Sequence, residues 1–367
     1  MTGRVVATYH VRADAASIEA RARAIAVEQS VEMPLDAIDE PTVTRDIVGE
    51  VQATDPVADG VFAVRIGLAL ATIGTDAGQM LNMLFGNTSL HDDVVLHDIA
   101  LPPALAAAFG GPRHGIDALR ARIGTPRRAL TCSALKPQGL SPDALGVLAE
   151  RFARGGIDYI KDDHGLADQE YSRFADRIGA CVAGVARARD ATGHPTRYVP
   201  SLSGDLSAMR RQLELARGLG IDCALLAPMI AGFANIQALA REFPDIALFA
   251  HPSLGGAARI APALLIGKLF PLIGADAVIF PNFGGRFGYS PQTCRRLADN
   301  ARTPEHGLRP SLPVPAGGMT LQRVPELLDF YGPDAMLLIG GNLLSARAQL
   351  TEATAAFTRA VAAHDYR

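Results

Sequence analysis

Residues 157–164 read Ile-Asp-Tyr-Ile-Lys-Asp-Asp-His. A short apolar run stops abruptly in an amine, two carboxylates and an imidazole. The same kind of run recurs through the last two thirds of the chain, at 129–135, 157–161, 197–201, 222–227, 246–250, 276–280, 311–315 and 335–340. Each ends in polar or Gly residues and is followed by an amphipathic segment: 141–154, 168–192, 205–218, 232–242, 258–273, 290–301, 320–331 and 343–363. Continuous apolar runs such as AMLLIG are the mark of strands covered on both faces. Eight strand–helix pairs over about 240 residues match a (β/α)8 barrel. A doubly wound sheet is the alternative, but it seldom needs eight evenly spaced units.

The first ~105 residues are patterned differently. VVATYHV and FAVRIGLAL read as strands and IEARARAIAVEQ as a helix. The fold expected is therefore α/β, with a small N-terminal α+β domain of ferredoxin-like type over 1–105 and a C-terminal TIM barrel over 106–367. Pro102–Pro103 and Gly110-Gly111-Pro112 mark the junction.

The chain has 367 residues, 49% of them hydrophobic, enough for a large core. A formal net charge of −3 gives no footprint for nucleic acid or an anionic membrane. Met1 to Arg12 lack the basic-then-apolar order of a signal peptide, and no apolar stretch approaches the ~20 residues of a membrane span. Cys132, Cys181, Cys223 and Cys294 are scattered, with no CxxC, so reduced thiols and a cytoplasmic location are expected.

Barrel chemistry sits at the C-terminal ends of the strands. The residues placed there are Lys136; Lys161, Asp163 and His164; Ser201 and Ser203; Met229; His251 and Ser253; Asn282 and Arg286; Gly317 and Gly318; and Gly340, Gly341 and Asn342. Three groups stand out. In the first, Lys161 and Asp163 share one strand face while Asp162 faces the other way, and His164 can turn back at the bend. This is either a salt-bridge network or a divalent-metal site. An ammonium cannot ligate a metal, but a neutral lysine that adds CO2 becomes an anionic oxygen donor. In the second, the paired glycines of PAGGMT (315–320) and IGGN (339–342) each precede a helix, as phosphate-binding loops do, although tight turns would also use them. The third, Asn282-Phe-Gly-Gly-Arg-Phe-Gly288, reads as a mobile lid carrying Arg286 or as an ordinary loop.

The segment from Gly111 to Gly165, GPRHGIDALRARIGTPRRALTCSALKPQGLSPDALGVLAERFARGGIDYIKDDHG, resembles the first two βα units of ribulose-bisphosphate carboxylase/oxygenase. The family's KDDE becomes KDDH. AVEQS (26–30) resembles its acidic N-terminal segment, LFGNTSL (84–90) its Gly-Asn loop, GGRFG its lid, and both Gly-Gly pairs its phosphate loops. The resemblance implies that the carbamylated lysine, aspartate and glutamate that hold magnesium fall on Lys161, Asp163 and His164. It implies that Lys136 handles protons, that His251 is retained, and that Arg286 replaces the lid lysine. It places Glu28 and Asn87 at the barrel mouth of a partner subunit, hence a homodimer with shared sites. Gln138 replaces a second lysine, Pro252 an arginine, and Ile279 or Phe280 a histidine. The last two losses should leave one phosphate pocket, at Gly317, Gly318, Gly340 and Gly341.

The chain therefore resembles a RuBisCO-like protein, not a carboxylase. The resemblance implies enolisation of a ketose monophosphate, with Mg2+ as the expected ion and Mn2+ or Co2+ made more competitive by His164. Three substrate classes stay open: isomerisation of 5-methylthioribulose 1-phosphate, placed first; decarboxylation or transcarboxylation of a branched sugar-acid phosphate; and a non-catalytic binding role. The family's enolase branch carries a lysine where this chain has Asn87.

Overall fold

In the computed structural model, residues 3–125 and 127–366 are described, so the expected terminal bounds Met1 and Arg367 lie outside them. Among the described residues, twelve strands form two sheets. The N-terminal sheet contains β1 (Arg4–Arg12), β2 (Glu50–Ala58), β3 (Val61–Ala69) and β4 (Val94–Ala100), in the antiparallel order β2-β3-β1-β4. With helices Ile18–Glu28 and Ala77–Phe85 between strands, this is the ferredoxin-like βαββαβ arrangement. β1 alternates half-buried and buried positions, which makes it legible as a strand. β2 is exposed over most of its length and carries Pro56, so it lacks the alternation that would have announced it.

The second sheet is the expected barrel, and all eight apolar runs are its strands. They are β5 (Leu130–Leu135), β6 (Tyr159–Asp162), β7 (Arg197–Val199), β8 (Cys223–Leu226), β9 (Ala247–Ala250), β10 (Ala275–Pro281), β11 (Leu312–Ala316) and β12 (Met336–Leu338). The hydrogen-bonded order runs β7-β6-β5-β12-β11-β10-β9-β8. The ring closes between β7 and β8 through the Ser201–Leu225 bridge, where Leu225 N donates to Pro200 O and Leu202 N to Leu225 O, each at 2.8 Å. Leu96 in β4 pairs with Ile260, in the segment that follows β9, and so ties the N-terminal sheet to the barrel domain.

Helix starts follow the sequence closely. Ser141, Asp205 and Ser290 each accept a hydrogen bond from the amide three residues on, and Pro142 and Pro291 occupy the first turn. Other boundaries differ from expectation. The 168–192 helix begins only at Phe174, because Asp168 folds back to accept from Phe174 N at 2.7 Å. The 258–273 helix is shortened to 262–272 and contains a π-turn over Leu265–Leu269. The C-terminal segment is divided into Gly341–Leu344, Arg347–Gln349 and Leu350–Ala362, with Arg347 at φ +47°.

Alternation along the strands decides which side chains enter the barrel. Leu130, Cys132, Tyr159, Val199, Leu225, Phe249, Ile279, Val314 and Leu338 belong to one buried interior cluster. Ile116, Leu119 and Ile123 of helix Gly115–Ile123 join it from one end, where Leu119 O accepts from Tyr159 Oη at 2.8 Å. Continuing the period of two, Lys136 follows Cys132 and Ala134, Lys161 and Asp163 follow Tyr159, and His251 follows Phe249. All four therefore belong to the inward register at the strands' C-terminal ends.

Candidate active site

Asp163 is the hub of the cluster. Its Oδ2 accepts from Lys136 Nζ at 2.8 Å, and its Oδ1 lies 3.0 Å from His164 Nδ1 and accepts from His164 N at 2.9 Å. Burial by itself would raise the carboxyl. Hydrogen bonds to His164 and Lys136, and the charges of Lys136 and Lys161, outweigh it and hold Asp163 well below the usual carboxylate range.

Lys161 is 3% exposed, and its Nζ donates to Asp162 O at 2.8 Å. Desolvation lowers its amine pKa against the opposing pull of Cys132 and Asp163. A shift in this direction makes the neutral amine, the form that adds CO2, easier to reach. His251 stacks on His164, with ring centroids 4.2 Å apart and planes at 8°. Burial first, then the charges of Lys161 and His164, push the His251 pKa far down, so its ring is neutral near pH 7. Ser253 N donates to His251 Nδ1 at 3.3 Å, which assigns the ring proton to Nε2.

Asp162 turns outward, as alternation requires. It is fully buried, accepting from Arg177 Nε at 3.0 Å, Tyr198 Oη at 2.7 Å and Ser201 N at 3.0 Å. Arg177 is also fully buried. The pair anchors the tip of β6 from behind and holds Lys161 and Asp163 on the inner side.

Among the described residues, no three His, Cys, Asp or Glu side chains cluster so as to hold a metal. The unmodified chain offers two ordinary donors, Asp163 and His164. Lys161 would become the third only as a carbamate, and its burial, lowered basicity and place in the inward register suit that modification. The residues thus fit a divalent ion on that condition.

The glycine loops follow β11 and β12. Gly317 and Gly318 have φ of +85° and +65°, and a Cβ on Gly318 would lie 2.6 Å from Gly285 Cα. The loop therefore packs backbone to backbone against the Gly-rich segment after β10. Arg323 ties the two together, donating to Phe283 O and Gly318 O. Asn282, at the base of that segment, is buried and accepts from Tyr331 Oη at 2.7 Å. A Cβ on Gly340 or Gly341 would meet nothing within 4 Å, so the approach to that turn is open.

The model of the ribulose bisphosphate carboxylase large chain, catalytic domain, matches residues 115–280. A 5-methylthioribulose-1-phosphate isomerase from Rhodospirillum rubrum is 60% identical over 363 residues, 99% of this chain and 97% of that protein. The crystal structure of a Rubisco-like protein from Rhodopseudomonas palustris superposes with a TM-score of 0.94 at 51% identity, covering 100% of this chain and 99% of that one. The chain belongs to the RuBisCO-like proteins. A more distant relative, a 2,3-diketo-5-methylthiopentyl-1-phosphate enolase from Geobacillus kaustophilus, is 32% identical over 291 residues, 76% of this chain and 70% of that protein.

In this RuBisCO-like chain the expected site residues divide into three groups. Lys136, Lys161, Asp163, His164 and His251 come together. Glu28 and Asn87 meet each other, Asn87 Nδ2 donating to Glu28 Oε1 at 2.9 Å, on the N-terminal sheet's side of the molecule. Arg286 stands on the exposed segment with its guanidinium 5.1 Å from the Phe287 ring centroid. Gln138 lies over Gly165, where a Cβ would sit 1.8 Å from its Nε2. Ile279 points into the barrel among apolar side chains, so β10 presents no cation there. Arg177, Tyr198 and Arg323 were not anticipated from sequence, and Ser253 only as a strand-end residue. An arginine inside a helix carries no local signal that its partner is a carboxylate fifteen residues away.

Proposed function

We propose that this chain catalyses proton transfer through the enediolate of a ketose monophosphate, as a 5-methylthioribulose 1-phosphate isomerase, and is not a carboxylase. The juxtaposition of Lys136, Lys161, Asp163, His164 and His251 at the strand ends carries the reading. It is supported by the relative of that activity, 60% identical over nearly the whole of both chains. Asn87, in place of the enolase branch's lysine, favours isomerase over enolase.

A divalent ion, Mg2+ first, held by Asp163, His164 and Lys161 as its carbamate, would polarise the substrate's carbonyl and hydroxyl and stabilise the developing charge. The turns at Gly317–Gly318 and Gly340–Gly341 bind the phosphate through backbone N–H groups and fix the reacting carbons in register. Lys136, which donates from Nζ to Asp163 Oδ2, returns a proton to carbon as the ammonium, and takes one only once that proton has left it. His251 Nε2–H, pointing away from Ser253, donates to a substrate oxygen. Arg286 brings a cation when the glycine-rich segment closes. Glu28 and Asn87 complete the site of a second copy in a homodimer. Four free, buried cysteines suit a reducing, cytoplasmic setting.

The test is NMR of 5-methylthioribulose 1-phosphate in D2O with the protein, with and without Mg2+ and bicarbonate. The expected result is deuterium incorporation together with a new isomer, dependent on both additions. Release of CO2 from a branched sugar-acid phosphate, or no exchange at all, would overturn it.

A further inference from the structure

A cleft of about 680 Å3 opens at the end of the barrel closed by helix Gly115–Ile123, away from Lys161. Four arginines, Arg120, Arg127, Arg302 and Arg309, line it with two carboxylates, Asp117 and Asp334. Asp334 is shared, with Oδ1 3.1 Å from Arg120 and Oδ2 2.8 Å from Arg127. Arg302 pairs with Asp299 at 2.6 Å. Arg309 donates only to the Arg113 carbonyl and has no carboxylate partner among the described residues. With Asp299 counted, four guanidinium groups face three carboxylates, an excess of one positive charge.

Two further observations bear on a ligand. Arg127 and Arg309, both on the lining, are exposed, so their guanidinium groups can be reached from solvent. The cleft also receives the start of helix Gly115–Ile123, at the positive end of its dipole. That start is held close to Pro310 because Gly115, at φ +66°, has no Cβ; one there would lie 2.6 Å from Pro310 O. His114 N and Gly115 N are satisfied by Asp276 Oδ1, at 2.6 and 3.0 Å.

We infer that this cleft is a second anion site, built to hold a phosphoryl dianion through guanidinium forks, separate from the glycine loops at the other end of the barrel. Guanidinium groups bind phosphate in bidentate geometry. The volume falls within the range of small-molecule pockets. Besides His114 the lining has no aromatic ring to stack a base, so the ligand is inorganic phosphate or a small phosphate monoester. A ligand there would rest on the helix whose Leu119 carbonyl holds Tyr159, two residues before Lys161.

The experiment titrates the full chain calorimetrically with inorganic phosphate and, separately, glycerol 3-phosphate, at fixed ionic strength with chloride as the control. Phosphate-soaked crystals locate the ions. The parent should bind two phosphates. The Arg127→Ala/Arg309→Gln variant should keep the mouth site and bind at least tenfold more weakly at the cleft. Gly341→Asp should lose the mouth site and keep the cleft. Tighter binding of glycerol 3-phosphate than of phosphate at the cleft assigns a monoester; the reverse assigns the free ion. Unchanged melting temperature and circular dichroism without phosphate show that the variants fold, and the single Arg309→Gln variant replaces the double one if it does not. Parent-like stoichiometry and affinity in the arginine variant, chloride competing as well as phosphate, or crystals with phosphate only at the mouth would overturn the inference.

Discussion

At the scale of single residues, His164 is the position at which this chain departs most informatively from the KDDE pattern it resembles. Its ring lies against Asp163 and stacks on His251. Carbamate, Asp and Glu around a divalent ion sum to one more negative charge than carbamate, Asp and neutral His, so an ion held here would be the stronger Lewis acid. His164→Ala should lower bound metal, measured by inductively coupled plasma mass spectrometry after dialysis, by at least tenfold. His164→Glu should retain Mg2+ and lose preference for Mn2+ or Co2+. Undiminished metal in the alanine variant would make His164 a stacking partner only. Lys136, Lys161, Asp163 and His251 were legible because strand alternation and strand ends are written in the letters. Ser253, which sets the tautomer of His251, was legible only as a strand-end residue, since its role depends on a loop conformation that local sequence does not specify.

At the scale of elements, β6 is held from two sides by buried carboxylates. Behind its tip, Arg177 neutralises Asp162 in a fully buried pair. Arg177→Ala leaves that carboxylate buried and unpaired, and a loss of about 3–5 kcal/mol is expected from urea unfolding. A loss under about 1 kcal/mol would show that the tip is anchored by Tyr198 and Ser201 alone. At its start, Asp158 is fully buried and accepts from Thr131 N, Thr131 Oγ1 and the Arg128 fork, at 2.8 to 3.0 Å. His194 Nε2 approaches it at 3.3 Å. Burial raises the Asp158 carboxyl, but these partners more than offset it, and its pKa is lowered on folding. Its contribution is therefore fully present above the unfolded value near ~3.9 and is lost as pH falls through the folded one. The stability gap between the parent and Asp158→Asn should stay constant above about pH 5 and narrow below about pH 4. A gap independent of pH down to acid unfolding would contradict this. The Ser-Pro starts at 141 and 290 were readable in advance, whereas these buried pairs were not, because each joins residues brought together by the barrel's closure.

At the scale of the whole molecule, the two-part architecture was legible from the change of periodicity near residue 105 and from eight repeated runs. The site was legible only in part, because Glu28 and Asn87 meet each other on the N-terminal sheet's side while the strand-end cluster sits in the barrel. A homodimer in which each copy completes the other's site, as proposed above, would reconcile the two. Glu28→Ala and Lys161→Arg should each be inactive alone. Co-expressed in equal amounts they should recover about a quarter of parental activity, since half the dimers are hybrids with one intact site of two. Recovery of nothing, or a fully active monomer by light scattering, would refute the shared site.

The barrel ring meets itself between β7 and β8 at one bridge and a pair of amides, those of Leu202 and Leu225. The neighbouring β8–β9 joint has four paired positions. A wall with such a narrow weld can gape along that line while the strands beside it keep their alignment. Ser201, whose amide grips Asp162, stands on the weld, so any yawning there loosens the rear anchor of the catalytic strand. The two amides would then trade their hydrogens with solvent sooner than those of β9, and added Mg2+ with bicarbonate, by stiffening the tip of β6, would slow that trade.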